Sequence, residues 1–389
     1  MKLLHTADWH IGKELGAFSL LAEQKYAYEQ ILNIAIAEQV DGIIIAGDLY
    51  DRAIAPLEAV EALEGMLRDL NLTHGLPIYA VSGNHDGATR LGAGHEWREQ
   101  TGLHLNTTLA NAFEPIETSD AQIFLLPFID PIDARAYYQM EPEEALDYQT
   151  IEAVMAKIVP ELEAKFAQNK AHILVTHFNV TGTGNEDYEF TSETNSRVGG
   201  LKGVPAGVFN GFDYVALGHI HLRQASPNDT MQYAGSPVKF NTKEAQSEKG
   251  VYILDITANE LQTTWHPLKI NKDLIVVKGT YAELIDPDFY QQYARGGANW
   301  FSIAVQDVPS SRNARGELNA IYGDVIEVNY TLQSTSVQSE TEQKIIADEI
   351  SPEEIVASFY HDVTQQAFNA EQQGIVVDIF TAINKAKEN

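Results

Sequence analysis

The run Ile43-Ile44-Ile45-Ala46-Gly47-Asp48-Leu49-Tyr50-Asp51 decides the fold. Its β-branched residues predict a buried parallel strand. Gly47 ends that strand and leaves Asp48 at the C-terminal edge, where open α/β sheets bind ligands. Gly-Asp after a strand is also ordinary turn chemistry, so the weight falls on what the other strand ends carry. Upstream, residues 2–7 read as a strand ending in Asp8-Trp9-His10; downstream, residues 78–81 read as one ending in Ser82-Gly83-Asn84-His85-Asp86. Helical spacing over residues 20–40, and again from Pro56 to about Leu70, separates these strands. The order is βαβαβ, a parallel sheet by the right-handed crossover rule. Further on, predicted strands 171–176 and 214–217 end in His177 and in Gly218-His219-Ile220-His221. Residues 123–126 predict another strand, and residues 231–233, 251–256 and 261–266 alternate in the antiparallel manner. After residue 270 the texture changes to short strands with one helix around residues 281–292.

A chain of 389 residues suggests more than one domain. With 44% apolar and 21% charged residues it has a soluble globular composition, without an apolar run of membrane-span length. The expected compartment is the cytoplasm. Cysteine is absent, which excludes disulfides and thiolate metal sites. The net charge of −29 argues against holding nucleic acid by a broad basic surface. Bound cations, a local basic patch or a partner protein would have to offset the repulsion.

Five strand ends thus carry Asp8 with His10, Asp48, Asn84 with His85, His177, and His219 with His221. Carboxylate, imidazole and amide oxygen suit Mn²⁺, Fe²⁺ or Zn²⁺. The set suffices for two divalent ions if one carboxylate is shared, and Asp48 is the natural bridge. Two such ions about 3.5–4 Å apart activate a bridging water and clamp a phosphoryl oxygen. His85, beside a ligand, suits protonating the leaving oxygen or holding the phosphate. Asp51 and Asp86 read as supporting or capping carboxylates, and Arg52 and Arg90 as surface ion pairs or phosphate contacts. His5 and His172 read as hydrogen-bonded residues within strands.

The motifs Asp8-x-His10, Gly47-Asp48-x-x-Asp51, Gly83-Asn84-His85-Asp86, His177 and Gly218-His219-x-His221 resemble those of the calcineurin-like metallophosphoesterases. The stretches from His5 to Lys13, Ala46 to Arg52, Asp213 to His221 and Tyr233 to Pro237 resemble the SbcD branch, the nuclease subunits of bacterial SbcCD complexes. The likeness is strong up to about residue 260. It implies a four-layer αββα metallophosphoesterase sandwich over residues 1–270, and a smaller α+β capping domain over residues 271–340. Residues 341–389 would be an acidic linker and a C-terminal helical element that docks on the coiled coil of an SbcC-type ATPase. Carried over by position, Asp8, His10, Asp48 and His221 would hold one ion, and Asp48, Asn84, His177 and His219 the other, with His85 catalytic and Mn²⁺ the expected metal. The implied activity is DNA phosphodiester hydrolysis in repair, recombination and replication. It comprises single-strand endonuclease cleavage, hairpin opening and ATP-linked 3′–5′ exonuclease cleavage of double-strand ends, carried out by a homodimer within the complex. A phosphatase or cyclic-nucleotide phosphodiesterase of the same superfamily, and a non-catalytic scaffold, are the alternatives.

Overall fold

The computed structural model describes residues 1–185, 203–257, 261–309 and 311–330, with residues 356, 368–369 and 372–376 beyond them. The expected strand around Ile43 is β2 (Gly42–Ala46), fully buried, lying between β1 (Lys2–Thr6) and β3 (Ile78–Val81). Helices α1 (Leu21–Ala37) and α2 (Leu57–Arg68) make the two crossovers, and β4 (Leu103–Asn106) extends the parallel pairing. A second parallel set consists of β5 (Ala121–Leu126), β6 (Ala171–Thr176), β7 (Tyr214–Leu217) and β8 (Met231–Tyr233), with α3 (Ile151–Glu163) crossing from β5 to β6. The chain then returns to the first sheet as antiparallel β9 (Gly250–Ile256) and β10 (Leu261–Pro267). Among the described residues the sheet orders are β10-β9-β1-β2-β3-β4 and β8-β7-β6-β5, the latter edged by the short strand Ile116–Glu117.

Three apolar clusters account for this arrangement. Ile43 and Ile45 of β2 join Ala27, Ile31, Leu63 and Met66 from α1 and α2. Leu174 and Val215 join Val154, Ile158 and Leu162 of α3. The third cluster joins the two sheets themselves, with Leu3, Ile44 and Val81 against Ile123, Val175 and Ala216. Both faces of β2 and β6 are thereby buried, which is why their sequences are continuous apolar runs. With the sheets joined in this way, the C-terminal edges of β1, β2, β3, β6 and β7 meet at one seam.

Two expectations are corrected. Residues 231–233 pair parallel to β7, not antiparallel, because three alternating residues carry no information about direction. Residues 281–292 are not one helix. Tyr281–Leu284 and Pro287–Tyr290 are separate short helices, the second restarted by Asp286 as its cap and Pro287 in its first turn. They belong to a three-stranded parallel sheet of β11 (Asp273–Gly279), β12 (Asn299–Val305) and β13 (Val325–Tyr330), covered by α4 (Ala314–Tyr322), a helix the pattern did not single out. Residues 186–202 and nearly all of 341–389 lie outside the described residues; residues 372–376, within the stretch expected to be an acidic linker and C-terminal helical element, are helical.

Candidate metal centre

Every residue singled out from the strand ends comes to the seam between the sheets. Asp8 and His10 follow β1, Asp48 follows β2, Asn84 and His85 follow β3, His177 follows β6, and His219 and His221 follow β7. Asp48 is central: its Oδ2 lies 3.3 Å from His10 Nε2 and 3.1 Å from His177 Nε2. Asn84 Oδ1 lies 3.1 Å from His177 Nε2 and 2.9 Å from His219 Nδ1. On the other side of Asp48, His10 Nε2 and His221 Nε2 stand 3.2 Å apart. Ligand atoms of Asp8, His10 and His221 cluster within 4.8 Å of one another, and so do those of Asp8, Asp48 and His177.

The backbone is bent to deliver these side chains. Asp8, His10 and Asp48 have φ of 53°, 44° and 51°, and His219 has φ of 95°, conformations that L side chains rarely adopt. Gly47 has φ of 88°, and a Cβ there would lie 2.2 Å from His177 Nδ1. A Cβ on Gly83 would fall 2.2 Å from Asp48 Oδ1. Gly47 and Gly83 are therefore required by the close approach of ligand residues across the seam.

The second atom of each side chain is fixed as well. His177 Nδ1 lies 2.7 Å from the Ala46 carbonyl and donates to it, which leaves Nε2 to face Asp48. His85 donates its backbone N–H to Asp48 Oδ1 at 2.9 Å, and its Nδ1 donates to the Asp51 carbonyl at 2.8 Å. Asp8 Oδ1 accepts the His219 N–H at 2.9 Å. Asp86 accepts from the backbone N–H groups of Leu49, Tyr50 and Gly83, so it shapes two ligand loops from behind. Asp51 contacts His10 Nδ1 at 3.6 Å and Lys13 Nζ at 3.0 Å. Arg52 pairs with Asp51 at 3.6 Å and is otherwise exposed.

Electrostatics follow from burial against these neighbours. Burial acts to raise Asp48, but His177 and His10 outweigh it and hold the carboxyl well below its usual range. Burial acts to lower His177, yet the Asp48 carboxylate lifts it to about 9. His219, buried and next to His177, is held down at about 3. Burial and the Asp48 charge push Asp86 up to about 7.

The donor set fits divalent cations. Asp8 Oδ2 is buried with no hydrogen-bond partner among the described residues. The His10 and His221 rings bring their Nε2 atoms to the same space, 3.2 Å apart, where both could ligate one cation. Sequence reasoning missed one part of the centre, the buried trio of Ser236, Glu244 and Lys249 behind His221. Glu244 Oε1 lies 3.0 Å from His221 Nδ1. Only Ser236 falls in a quoted motif; Glu244 and Lys249 lie in a polar stretch outside the motifs.

Comparison with known proteins agrees with the motifs. Residues 1–223, which include all eight site residues, match the model for the calcineurin-like phosphoesterases. Residues 271–364 match a model described as the type 5 capsule protein repressor C-terminal domain. The SbcD chain of the nuclease SbcCD from Staphylococcus epidermidis is 32% identical over 385 residues, covering 98% of this chain and 99% of its own. The SbcD chain from Staphylococcus saprophyticus is 27% identical, covering 98% of each chain. A solved E. coli phosphoesterase, Yfce, covers 69% of this chain and 100% of its own at 13% identity, but its TM-score of 0.26 is too low to inform the fold. The chain belongs to the calcineurin-like phosphoesterases and, among them, to the SbcD family of nuclease subunits.

Proposed function

We propose that this chain is the metal-dependent DNA nuclease subunit of an SbcCD-type complex, hydrolysing phosphodiesters at the seam between its two sheets. The observation that carries the reading is the placement of Asp48 between His10 and His177, with Asn84 joining His177 to His219. Asp8, His10, Asp48 and His221 would hold one divalent ion, and Asp48, Asn84, His177 and His219 the other. Mn²⁺ is the favoured metal, with Fe²⁺ and Zn²⁺ compatible with the same donors. When bound, such a pair supplies Lewis acidity and a nucleophilic water near neutral pH.

The protein's own contribution is placement. The strained turns hold the ligand side chains before any ion arrives. His85 is held by Asp51, with Nδ1–H given to the carbonyl, which leaves Nε2 to carry a proton to the leaving oxygen or to hold the phosphate. Phe128 stacks beside His219 with ring centroids 6.4 Å apart and adds an apolar wall to the site.

We propose a four-layer αββα order for the joined sheets and their helices, with residues 271–340 as a cap that shapes DNA access. An SbcC-type ATPase is the expected partner, engaged through residues 341–389, in a complex built on a homodimer. Its surfaces or bound cations would offset the net charge of −29. Expected DNA activities are single-strand endonuclease cleavage, hairpin opening and, with ATP hydrolysis in the partner, 3′–5′ exonuclease cleavage. The test is cleavage of single-stranded, hairpin and duplex oligonucleotides by the purified chain with Mn²⁺, with and without the ATPase. A phosphomonoester and a cyclic nucleotide are assayed in parallel. Cleavage of DNA in preference to both small substrates supports the reading; turnover of only the small substrates contradicts it.

A further inference from the structure

We propose that Glu244 and Lys249 form a positioning pair that locks His221 with its Nε2 lone pair aimed at the metal centre, an inference that rests on the two-ion reading above. Glu244 is 1% exposed and Lys249 2% exposed, so both sit away from bulk water. Glu244 Oε1 contacts His221 Nδ1 at 3.0 Å and accepts from Asn241 Nδ2 at 2.7 Å. Glu244 Oε2 accepts from Lys249 Nζ, and Ser236 Oγ lies 3.1 Å away. Lys249 Nζ also donates to Ser236 Oγ at 2.8 Å and to the His221 backbone carbonyl at 3.0 Å. His221 is therefore gripped twice, its ring by Glu244 and its backbone by Lys249.

A carboxylate against Nδ1 requires the proton on Nδ1, and the lone pair is then on Nε2. Nε2 is the atom that faces His10 Nε2 across the ion position. Carboxylate partners of this kind fix a ligand imidazole's tautomer and raise its basicity. The four ligand rings differ in this respect, and His219 Nδ1 faces the Asn84 amide oxygen at 2.9 Å. His177 rests on a neutral carbonyl, and Asp51 is 3.6 Å from His10 Nδ1. Only His221, among the described residues, has a fully buried carboxylate in hydrogen-bond contact with Nδ1. A buried ion pair is a poor source of stability compared with apolar packing. Its place directly behind a ligand histidine gives it a reason to be there. Lys249 keeps Glu244 charged and turned toward Nδ1.

The test compares wild type with two double variants, Glu244→Leu with Lys249→Met and Glu244→Gln with Lys249→Met. Both remove the charges together, so neither leaves an unpaired buried ion. The first readout is the His221 tautomer in the metal-free protein, from long-range ¹H–¹⁵N NMR. Wild type is expected to show the Nδ1–H form; the Leu/Met variant is expected to lose that preference, and the Gln/Met variant to retain it through the amide oxygen. The second readout is calorimetric Mn²⁺ binding. One of the two ions is expected to bind about tenfold to a hundredfold more weakly in the Leu/Met variant, with a smaller loss in Gln/Met and the other ion unaffected. An unchanged tautomer in Leu/Met, or two ions bound to Leu/Met with wild-type affinity, overturns the proposal. If Leu/Met fails to fold, wild-type Mn²⁺ affinity at both sites of Gln/Met also overturns it. Wild type that shows the Nδ1–H tautomer but binds no Mn²⁺ instead contradicts the metal reading, so the two failures are distinguishable.

Discussion

The seam that gathers the histidines and aspartates and the small sheet of β11, β12 and β13 meet opposite requirements. In the small sheet the core is Val277, Leu284, Phe301, Ile303, Val305, Leu318 and Tyr322, and the buried Ser302 hydroxyl is matched by Glu327 at 2.7 Å. Positive φ among its described residues occurs only at Gly296, Gly297 and Gly323, where it is inexpensive. At the seam, Asp8, His10, Asp48 and His219 hold positive φ as non-glycine residues. Such backbone costs about 1–3 kcal/mol per residue and persists where the surrounding packing holds it in place. One region is arranged to pack, the other to bind.

The largest effect should come from breaking the seam at its centre. Asp48→Asn keeps a residue that tolerates positive φ but removes the shared charge. DNA cleavage with Mn²⁺ is expected to fall on the order of 10³-fold, and the metal-free melting temperature to fall below wild type, because buried His177 loses the carboxylate that holds it charged. A cleavage assay and a thermal melt on the same sample check both halves. Phe301→Ala acts on the other side of the comparison. Phe301 is fully buried against Tyr293 and Tyr322, so denaturant unfolding should show a loss of about 3–5 kcal/mol. Mn²⁺ affinity should be that of wild type.

Metal removal sharpens the contrast. At a free concentration of about 100 times Kd, one bound Mn²⁺ stabilises by about 2.7 kcal/mol, and a chelator should abolish the gain. Wild type and Phe301→Ala should gain equally, whereas Asp48→Asn should gain far less.

The smallest effect is one of pH. His5 lies within the joined sheets, its Nδ1 3.0 Å from the Tyr214 hydroxyl, and burial holds it at about 3 against an ordinary value of 6.5. The unfolded chain binds a proton below 6.5 that the folded chain does not. Stability from this group is therefore complete above 6.5 and declines as pH falls toward 3. Between pH 7.5 and 5.5 the loss is about 1 kcal/mol. Denaturant melts at the two pH values should show a smaller loss for His5→Gln. Residues 273–330 contain no histidine and contribute nothing to this slope.

The same contrast explains what could be read from sequence. Asp48, Asn84 and His177 were legible because each follows a short apolar run and a parallel strand must deliver its next residue to the ligand edge. The strands 78–81, 171–176 and 214–217 coincide with β3, β6 and β7 for that reason. Direction was not legible for β8, whose three residues fit either pairing. Helix α4 passed unnoticed because Ala314, Leu318 and Tyr322 give only three buried positions in a polar stretch. Glu244 and Lys249 could not be seen because their partners, His221 and each other, are set by tertiary packing rather than by a strand end.

The central claim is that side chains from two sheets hold two cations on either side of one aspartate. Anomalous diffraction from crystals soaked in Mn²⁺ tests it directly. The account predicts two peaks about 3.5–4 Å apart, both in contact with Asp48, one beside His10 and His221 and the other beside His177 and His219. A single peak, or peaks that do not touch Asp48, would contradict it.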